Sequence, residues 1–388
     1  MHLGVTLLAP IALHGFLAHA TGTSNDSNLT VALVRAPPPD WPLPVYSYKW
    51  DDIMPNLNSS IDKAIDYMHE AKENGANWIL FPELWFPGYV TPITLFPSSQ
   101  RPTLFFQVSI HNSILTSFSF PKGALYNNWT NTHLPSYIAN AMVVGGPEWN
   151  RLISAIKATK LYAGLTFAQR AGDNLYMAQT LISPLGDQLI FRHKLRPSGD
   201  ERDIFSDGTM DQLKVITSAY GRVGMLECGE HWYPSMTFPM QAQTENFHLG
   251  PFPYMGNPGD SRYLWWEGAE ANTGAVGVYS NLAGAYSFVA AVGYSFVSSP
   301  LAQVVASISA DASFEKHPML YHTLDTTSFN TSETYDPDSQ ASWGVLQQIY
   351  NGFPGYIPKI EGSLVPEKNV SIDYLLSGAL NSSQIDYN

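Results

Sequence analysis

One cysteine, Cys228, stands alone in a chain of 388 residues. That excludes a disulfide framework and any cysteine-built metal site, and it marks the thiol as a candidate reactive group. Charge is scarce as well: 14% of residues are charged, with 20 Lys+Arg against 33 Asp+Glu for a formal net charge of −13. So little charge argues against long disordered or coiled-coil tracts, and so few cations make nucleic acid or an anionic membrane an unsuitable partner. The histidines are scattered, without a His-x3-His pair. No glycine-rich phosphate loop, internal repeat or metal-ligand cluster is visible, so neither cofactor nor metal is expected. What is plentiful is apolar: 45% hydrophobic and 13% aromatic residues, enough for one large core.

The first twenty residues read as a targeting segment. Leu3 to Ala18 is an apolar run broken by Pro10 and His14, and Ala18-His19-Ala20 is a small-x-small cleavage site. The run is too short and interrupted to span a bilayer, and no later stretch qualifies. Seven Asn-x-Ser/Thr sequons follow, at Asn25, Asn28, Asn58, Asn128, Asn330, Asn369 and Asn381. Together these features predict a secreted, extracellular glycoprotein whose mature chain begins near Thr21. The expected organisation is a signal peptide over 1–20 and a polar stretch over 21–28. One catalytic domain follows over 29–320, then an extended C-terminal arm over 321–388, rich in prolines and polar residues.

Within the domain, Leu29 to Arg35 alternates as a strand. Ile61, Ala64, Ile65, Met68 and Ala71 fall at helical spacing, with Ser59 or Ser60 as N-cap and Asn74-Gly75 as the stop. A strand over Asn77 to Phe81 follows, completing a β-α-β unit that ends at Pro82-Glu83. Thr91 to Gly146 reads as a loop-bearing insertion. Trp149 to Lys160 is a predicted helix and Leu161 to Phe167 a strand. Leu175–Ile182 and Gln188–Arg192 form a hairpin that Lys194 directly follows. Val223 to Leu226 is a short apolar run ending at Cys228, which places the thiol at a strand end, where sites of layered α/β folds collect. A helix is expected near Pro234 and a further core strand within Ala283 to Val297.

Glu83, Lys194 and Cys228 are thus a carboxylate, an amine and a thiol at three strand ends. A thiol needs a base to become a thiolate, and a carboxyl flanked by an apolar strand can carry the raised pKa such work requires. An ammonium can hold the thiolate and then stabilise negative charge developing on substrate nitrogen or oxygen. The three residue types suit attack on a polarised carbon–nitrogen centre. A cysteine in an apolar run can instead be a small buried hydrophobe, and Glu201-Arg202 can be a surface ion pair.

Three segments resemble motifs of the nitrilase (carbon–nitrogen hydrolase) superfamily, nitrilase branch, of the secreted fungal type. Gly75-Ala76-Asn77-Trp78-Ile79-Leu80-Phe81-Pro82-Glu83, continuing to Pro87-Gly88-Tyr89, is similar to its glutamate motif. His193-Lys194-Leu195-Arg196-Pro197-Ser198, with Glu201-Arg202 beyond, is similar to its lysine motif and second glutamate. Gly221 through Cys228-Gly229-Glu230-His231 is similar to its cysteine motif. The resemblance spans roughly Leu29 to Ser298. It implies an α/β fold, a four-layer α-β-β-α sandwich assembling as a homodimer or larger homo-oligomer. It also implies Glu83 as general base, Lys194 as the intermediate-stabilising cation, Cys228 as nucleophile and Glu201 as the second glutamate. Glu230 reads as a structural hydrogen-bonding residue.

The implied reaction converts a nitrile to a carboxylic acid and ammonia through a cysteine thioimidate and thioester, without cofactor. The alternatives are a nitrile or cyanide hydratase, an amidase, or an inactive secreted binding protein on the same scaffold. Two departures bear on the site. Gly229 stands where nitrilases usually carry tryptophan, which should open the pocket beside the thiol. Glu227 is an acid in a strand interior, where an unpaired carboxylate is costly.

Overall fold

Leu29, Val31 and Leu33 turn to one side of the first strand while Ala32 and Val34 turn to the other, and all five are buried. A strand that is apolar on both faces needs a cover on each, and this one has a second sheet on one side and helices on the other. These positions come from a computed structural model of the chain. It describes residues 27–39, 55–89, 130–260, 268–329, 342–352 and 367–381.

The first sheet is built from β1 (Asn28–Val34), β2 (Trp78–Leu80), β3 (Tyr162–Ala171), β4 (Asn174–Ile182), β5 (Gln188–His193) and β12 (Met319–Asp325). Its order is β12-β1-β2-β3-β4-β5, with β1, β2 and β3 parallel and the flanking pairs antiparallel. The second contains β6 (Ile216–Ser218), β7 (Gly221–Met225), β8 (Phe247–Met255), β9 (Tyr286–Gly293), β10 (Ser295–Ser298) and β11 (Val304–Ile308). Its order is β11-β10-β9-β8-β7-β6, again with a parallel centre of β7, β8 and β9.

The sheets meet face to face. Leu29, Val31, Trp78 and Leu80 of one share a core with Val223, Met225, Phe247 and Phe288 of the other. Helices α1 (Leu57–Glu73) and α3 (Pro147–Thr159) cover the outer face of the first sheet through Ile61, Ala64, Met68, Leu152 and Ile156. A shorter helix, α2 (Leu134–Ala139), joins a neighbouring apolar cluster through Leu134, Tyr137 and Ile138. Helices α4 (Pro234–Gln241) and α5 (Ala269–Ala283) cover the second sheet through Met236, Met240, Ala269 and Val276. The architecture is the expected four-layer sandwich.

Several boundaries moved for identifiable reasons. Helix α1 begins two residues earlier than Ser59, because Asn56 is its N-cap: the Asn56 Oδ1 accepts from the Ser59 amide at 3.1 Å. The boundary drawn at 320 falls inside β12, which pairs along its whole length with β1. Beyond it, α6 (Trp343–Gly352) packs Trp343 edge-on against Phe238 at 4.6 Å. Helix α7 (Ile372–Leu376) sits in a segment that is docked rather than extended. Val370, Leu375 and Leu380 share a cluster with Leu84, Leu175, Met177 and Phe205. Helix α5 and strand β8 carried no periodic signal in the sequence. The segment 1–20 and the sequons at Asn25, Asn128 and Asn330 lie outside the described residues, as does most of the expected insertion. Asn28, Asn58 and Asn369 are exposed.

Candidate active site

Glu83, Lys194 and Cys228 reach one place by three routes. Glu83 lies three residues past β2, its amide donating to Phe252 O of the opposite sheet at 3.0 Å, so the loop is pinned across the sandwich. Lys194 directly follows β5, its amide held by Met177 O at 2.8 Å. Its carbonyl accepts from Gly208 at 3.0 Å. No side chain fits at Gly208, since a Cβ there would lie 2.5 Å from His193 O. Cys228 departs from expectation. It is not the last residue of β7 but opens a short 3-10 turn, Cys228–Trp232, three residues later. Its φ is +46°, a left-handed conformation that costs a non-glycine residue about 1–2 kcal/mol.

The Lys194 Nζ donates to Glu83 Oε1 at 2.7 Å and to Glu201 Oε2 at 2.8 Å, and all three side chains are buried. Glu201 also accepts from the Ser198 amide at 2.6 Å and from the Tyr89 hydroxyl. The surface-pair alternative for Glu201-Arg202 is therefore wrong. Glu201 points inward, and Arg202 pairs with Asp207 at 3.1 Å. Of Glu83, Lys194, Glu201 and Cys228, the thiol keeps residual solvent access, which contact with a substrate would require.

Charge in this enclosure is unbalanced. Burial raises the Glu83 carboxyl to about 8; Lys194 pulls it down and Glu201 pushes it up. Burial, then Glu83, pushes the Cys228 thiol well above its usual value against the pull of Lys194. Lys194 is itself disfavoured by burial, yet Glu201 and Glu83 hold its ammonium well above the ordinary range. A carboxyl near neutrality, a thiol and a fixed ammonium in contact are the parts of a base-assisted thiol nucleophile.

Some residues of the candidate site carry more than the sequence shows. Glu230 has the structural hydrogen-bonding role expected of it, and that role is specific. Its Oε1 accepts from Leu195 N at 2.9 Å and Arg192 Nη2 at 2.6 Å. Its Oε2 accepts from Glu227 N at 2.8 Å and Arg192 Nη1 at 2.6 Å. One carboxylate thus ties the neighbour of Lys194 to the neighbour of Cys228. Burial opposes its charge, but Arg192 and the two amides bring its pKa below the usual carboxylate value. Nothing marked Arg192 in the sequence beyond its position in the hairpin. Glu227 is the costly acid anticipated in this segment. It is fully buried and neither carboxyl oxygen has a partner among the described residues, so burial and then Glu83 raise its pKa well above normal. A raised pKa favours shedding the charge whose burial is costly at this position. Tyr89 closes the glutamate motif, and its contact with Glu201 places it in the candidate site. Among the described residues no group of three or more His, Cys, Asp or Glu side chains could hold a metal ion.

An α-β-β-α sandwich that brings glutamate, lysine and cysteine together at loops following strands defines a class of thiol hydrolases acting on carbon–nitrogen bonds. A profile of the carbon-nitrogen hydrolase family matches residues 30–328, and the chain belongs to that family. It is 30% identical over 221 residues to a nitrilase from Talaromyces marneffei, covering 56% of this chain and 60% of that one. To an arylacetonitrilase from Aspergillus oryzae it is 28% identical over 242 residues (61% and 59%). A cyanide hydratase from Aspergillus niger is 31% identical over 199 residues (51% and 48%). The matches span roughly half to three-fifths of these relatives. Among solved structures, an amidase from Nesterenkonia sp. shares the fold with a TM-score of 0.53 at 14% identity, covering 83% of this chain and 95% of that one.

Proposed function

We propose that the chain hydrolyses a nitrile to a carboxylic acid and ammonia. The supporting observation is the buried Glu83–Lys194–Glu201 group beside the partly accessible thiol of Cys228. Cys228 Sγ attacks the nitrile carbon while Glu83 takes the thiol proton and delivers it to nitrogen, giving a thioimidate. Lys194 stabilises the negative charge that builds on that nitrogen, and Glu201 keeps the ammonium aimed. Water then adds with Glu83 as base, and ammonia leaves to give a thioester. A second water releases the acid and restores the thiol, so one nitrile and two waters give one acid and one ammonia. The cyanide hydratases among the relatives favour one variant, in which the first tetrahedral intermediate expels the thiolate and the amide is the product.

The deciding experiment incubates the purified protein with aliphatic, aromatic and arylacetonitriles, cyanide and simple amides, and measures ammonia, acid and amide separately. Acid and ammonia from a nitrile, lost in Cys228→Ala, is the expected result. Turnover of amides alone would replace the reading with an amidase. No turnover, with Cys228 slow to react with a small thiol reagent, would leave the binding-protein alternative.

We also propose that the protein is exported, that it carries N-glycans at exposed sequons such as Asn28, Asn58 and Asn369, and that copies pair. Pairing is supported by an apolar groove of about 750 Å³ between α4 and α5, flanked by the exposed Val278 and Leu282. Intact-mass analysis and light scattering test these points. A retained residue 1–20 segment without glycan, or a monomer, would refute them.

A further inference from the structure

Behind the nucleophile lies a chain of buried polar side chains that the proposed chemistry does not use. The His231 Nδ1 is 2.8 Å from the Cys228 carbonyl oxygen, and its Nε2 is 3.2 Å from His248 Nε2. The His248 Nδ1 lies 3.0 Å from Glu245 Oε2, which also accepts from the Tyr279 hydroxyl at 2.8 Å. All four side chains are buried.

Their protons can be assigned by elimination. A carbonyl oxygen carries no hydrogen, so His231 Nδ1 must be the donor to Cys228. Burial, then His248, lowers the His231 pKa to about 3, so the ring is neutral and its Nε2 is a lone pair. That lone pair needs a donor, which among the described residues His248 Nε2–H supplies. His248 then presents Nδ1 to Glu245 with one proton between them, on either nitrogen or oxygen, and the pair is neutral overall in both cases. The Tyr279 hydroxyl closes the far end by donating to Glu245. With His231 neutral, a different proton on His248, Glu245 or Tyr279 would set two donors or two lone pairs face to face.

We propose that His231 is a positioning residue for the nucleophile: its Nδ1–H, fixed on that nitrogen by His248, Glu245 and Tyr279, holds the Cys228 carbonyl and with it the left-handed turn that aims the thiol. The turn needs such a hold because Cys228 adopts φ +46° without being glycine. The site is also shaped for this ring. His231 stacks on Phe252 with centroids 5.1 Å apart, and a Cβ on Gly250 would come within 3.2 Å of its Nε2. Phe252 is the residue whose carbonyl receives the Glu83 amide, so β8 supports base and nucleophile together. Glu230 and Arg192 also face the ring, and their opposite charges leave its neutral form undisturbed.

This inference rests on Cys228 being the nucleophile, and two of its tests need no substrate. Asparagine places an amide nitrogen where histidine has Nδ1, whereas glutamine places it where histidine has Nε2. His231→Asn should therefore keep the bond to Cys228, with kcat within about threefold of wild type. His231→Gln should lose kcat by roughly ten- to a hundredfold with KM little changed, as a misplaced nucleophile does. Alkylation of Cys228 by iodoacetamide, the only thiol in the chain, should follow the same order. In the unmutated protein, the ¹⁵N shifts of His231 should report the Nδ1–H tautomer from pH 6 to 8, whether or not any variant folds. An Nε2–H tautomer would overturn the proposal. So would folded Asn and Gln variants with equal kcat and alkylation rates. If nitriles are not turned over but the tautomer and alkylation order hold, the reaction assigned above fails and the positioning role stands.

Discussion

Replacing Glu230 by glutamine should be the most damaging isosteric change available outside the reacting groups. The carboxylate accepts four hydrogen bonds, two from Arg192 and one each from Leu195 N and Glu227 N. An amide keeps one oxygen for two of these donors and turns an NH2 toward the other two. Arg192, only 1% exposed, is left with Gln179 Oε1 at 2.8 Å as its neutral partner. Breaking a buried pair from one side costs about 3–5 kcal/mol. At roughly 2 °C per kcal/mol for a long chain, the melting temperature should fall by about 6–10 °C. The same change releases the tether between the Lys194 and Cys228 backbones, so kcat should drop in whatever fraction stays folded. A double-mutant cycle with Arg192→Met, followed by chemical denaturation, isolates the pair. The double variant should be more stable than the sum of the two losses by about 2 kcal/mol. A Glu230→Gln protein within 1 kcal/mol of the parent, or an additive cycle, would refute the account of this clamp.

With Glu83 near 8, kcat/KM should rise about tenfold per pH unit from 6 to 7 and level off near 8, and a flat profile there would contradict a Glu83 base. The same shift lowers stability as pH rises: the folded state holds the Glu83 proton above the ordinary 4.5, so its contribution is full below 4.5 and lost through about 8. Glu83→Gln should flatten that decline, as read by denaturation at pH 6 and 9. Gly229→Trp should alter relative rates across a nitrile panel more than it alters stability. A Cβ there meets only Ser198 Oγ, at 3.1 Å, in the turn that carries Glu201, and unchanged relative rates would remove Gly229 as a determinant. Asp207→Ala should free the C-terminal segment, because Asp207 Oδ2 accepts from Lys368 N at 2.8 Å. About 2 kcal/mol of stability should be lost and Lys368 should become cleavable by trypsin, with continued resistance arguing against the anchor.

Much of the fold was legible because its signals are local. The apolar spacing of α1, the hairpin of β4 and β5 and the strand β1 each follow from a few consecutive residues, although β1 is apolar on both faces rather than alternating. The candidate site was legible where a titratable side chain sits just past a strand, at Glu83, Lys194 and Cys228. Contacts between distant segments left no such trace. Arg192 and Glu230 are 38 positions apart, and His248 and Glu245 approach the Cys228 turn from another strand and its preceding loop. The inward turn of Glu201 depends on Lys194 and Tyr89 rather than on its neighbour Arg202. Docking of residues 367–381 was missed because polar composition and prolines suggested an arm. The burial comes from three spaced side chains, Val370, Leu375 and Leu380.

The pairing of β1 with β12 has a kinetic side. Asn28 faces Asp325 and Val34 faces Met319, so the first sheet cannot close until nearly 300 intervening residues have been made and gathered. Arg35 extends the same dependence: its guanidinium, with no carboxylate partner among the described residues, is held by the carbonyls of Gly293, His317 and Ser309 at 2.8–2.9 Å. Such non-local contacts place folding at the slow end for a mixed α/β chain. During synthesis β1 waits with one edge open beside β2, an exposed apolar template of the kind that invites mispairing. Expression yield should therefore respond to chaperone supply more sharply than the stability of the finished protein would suggest.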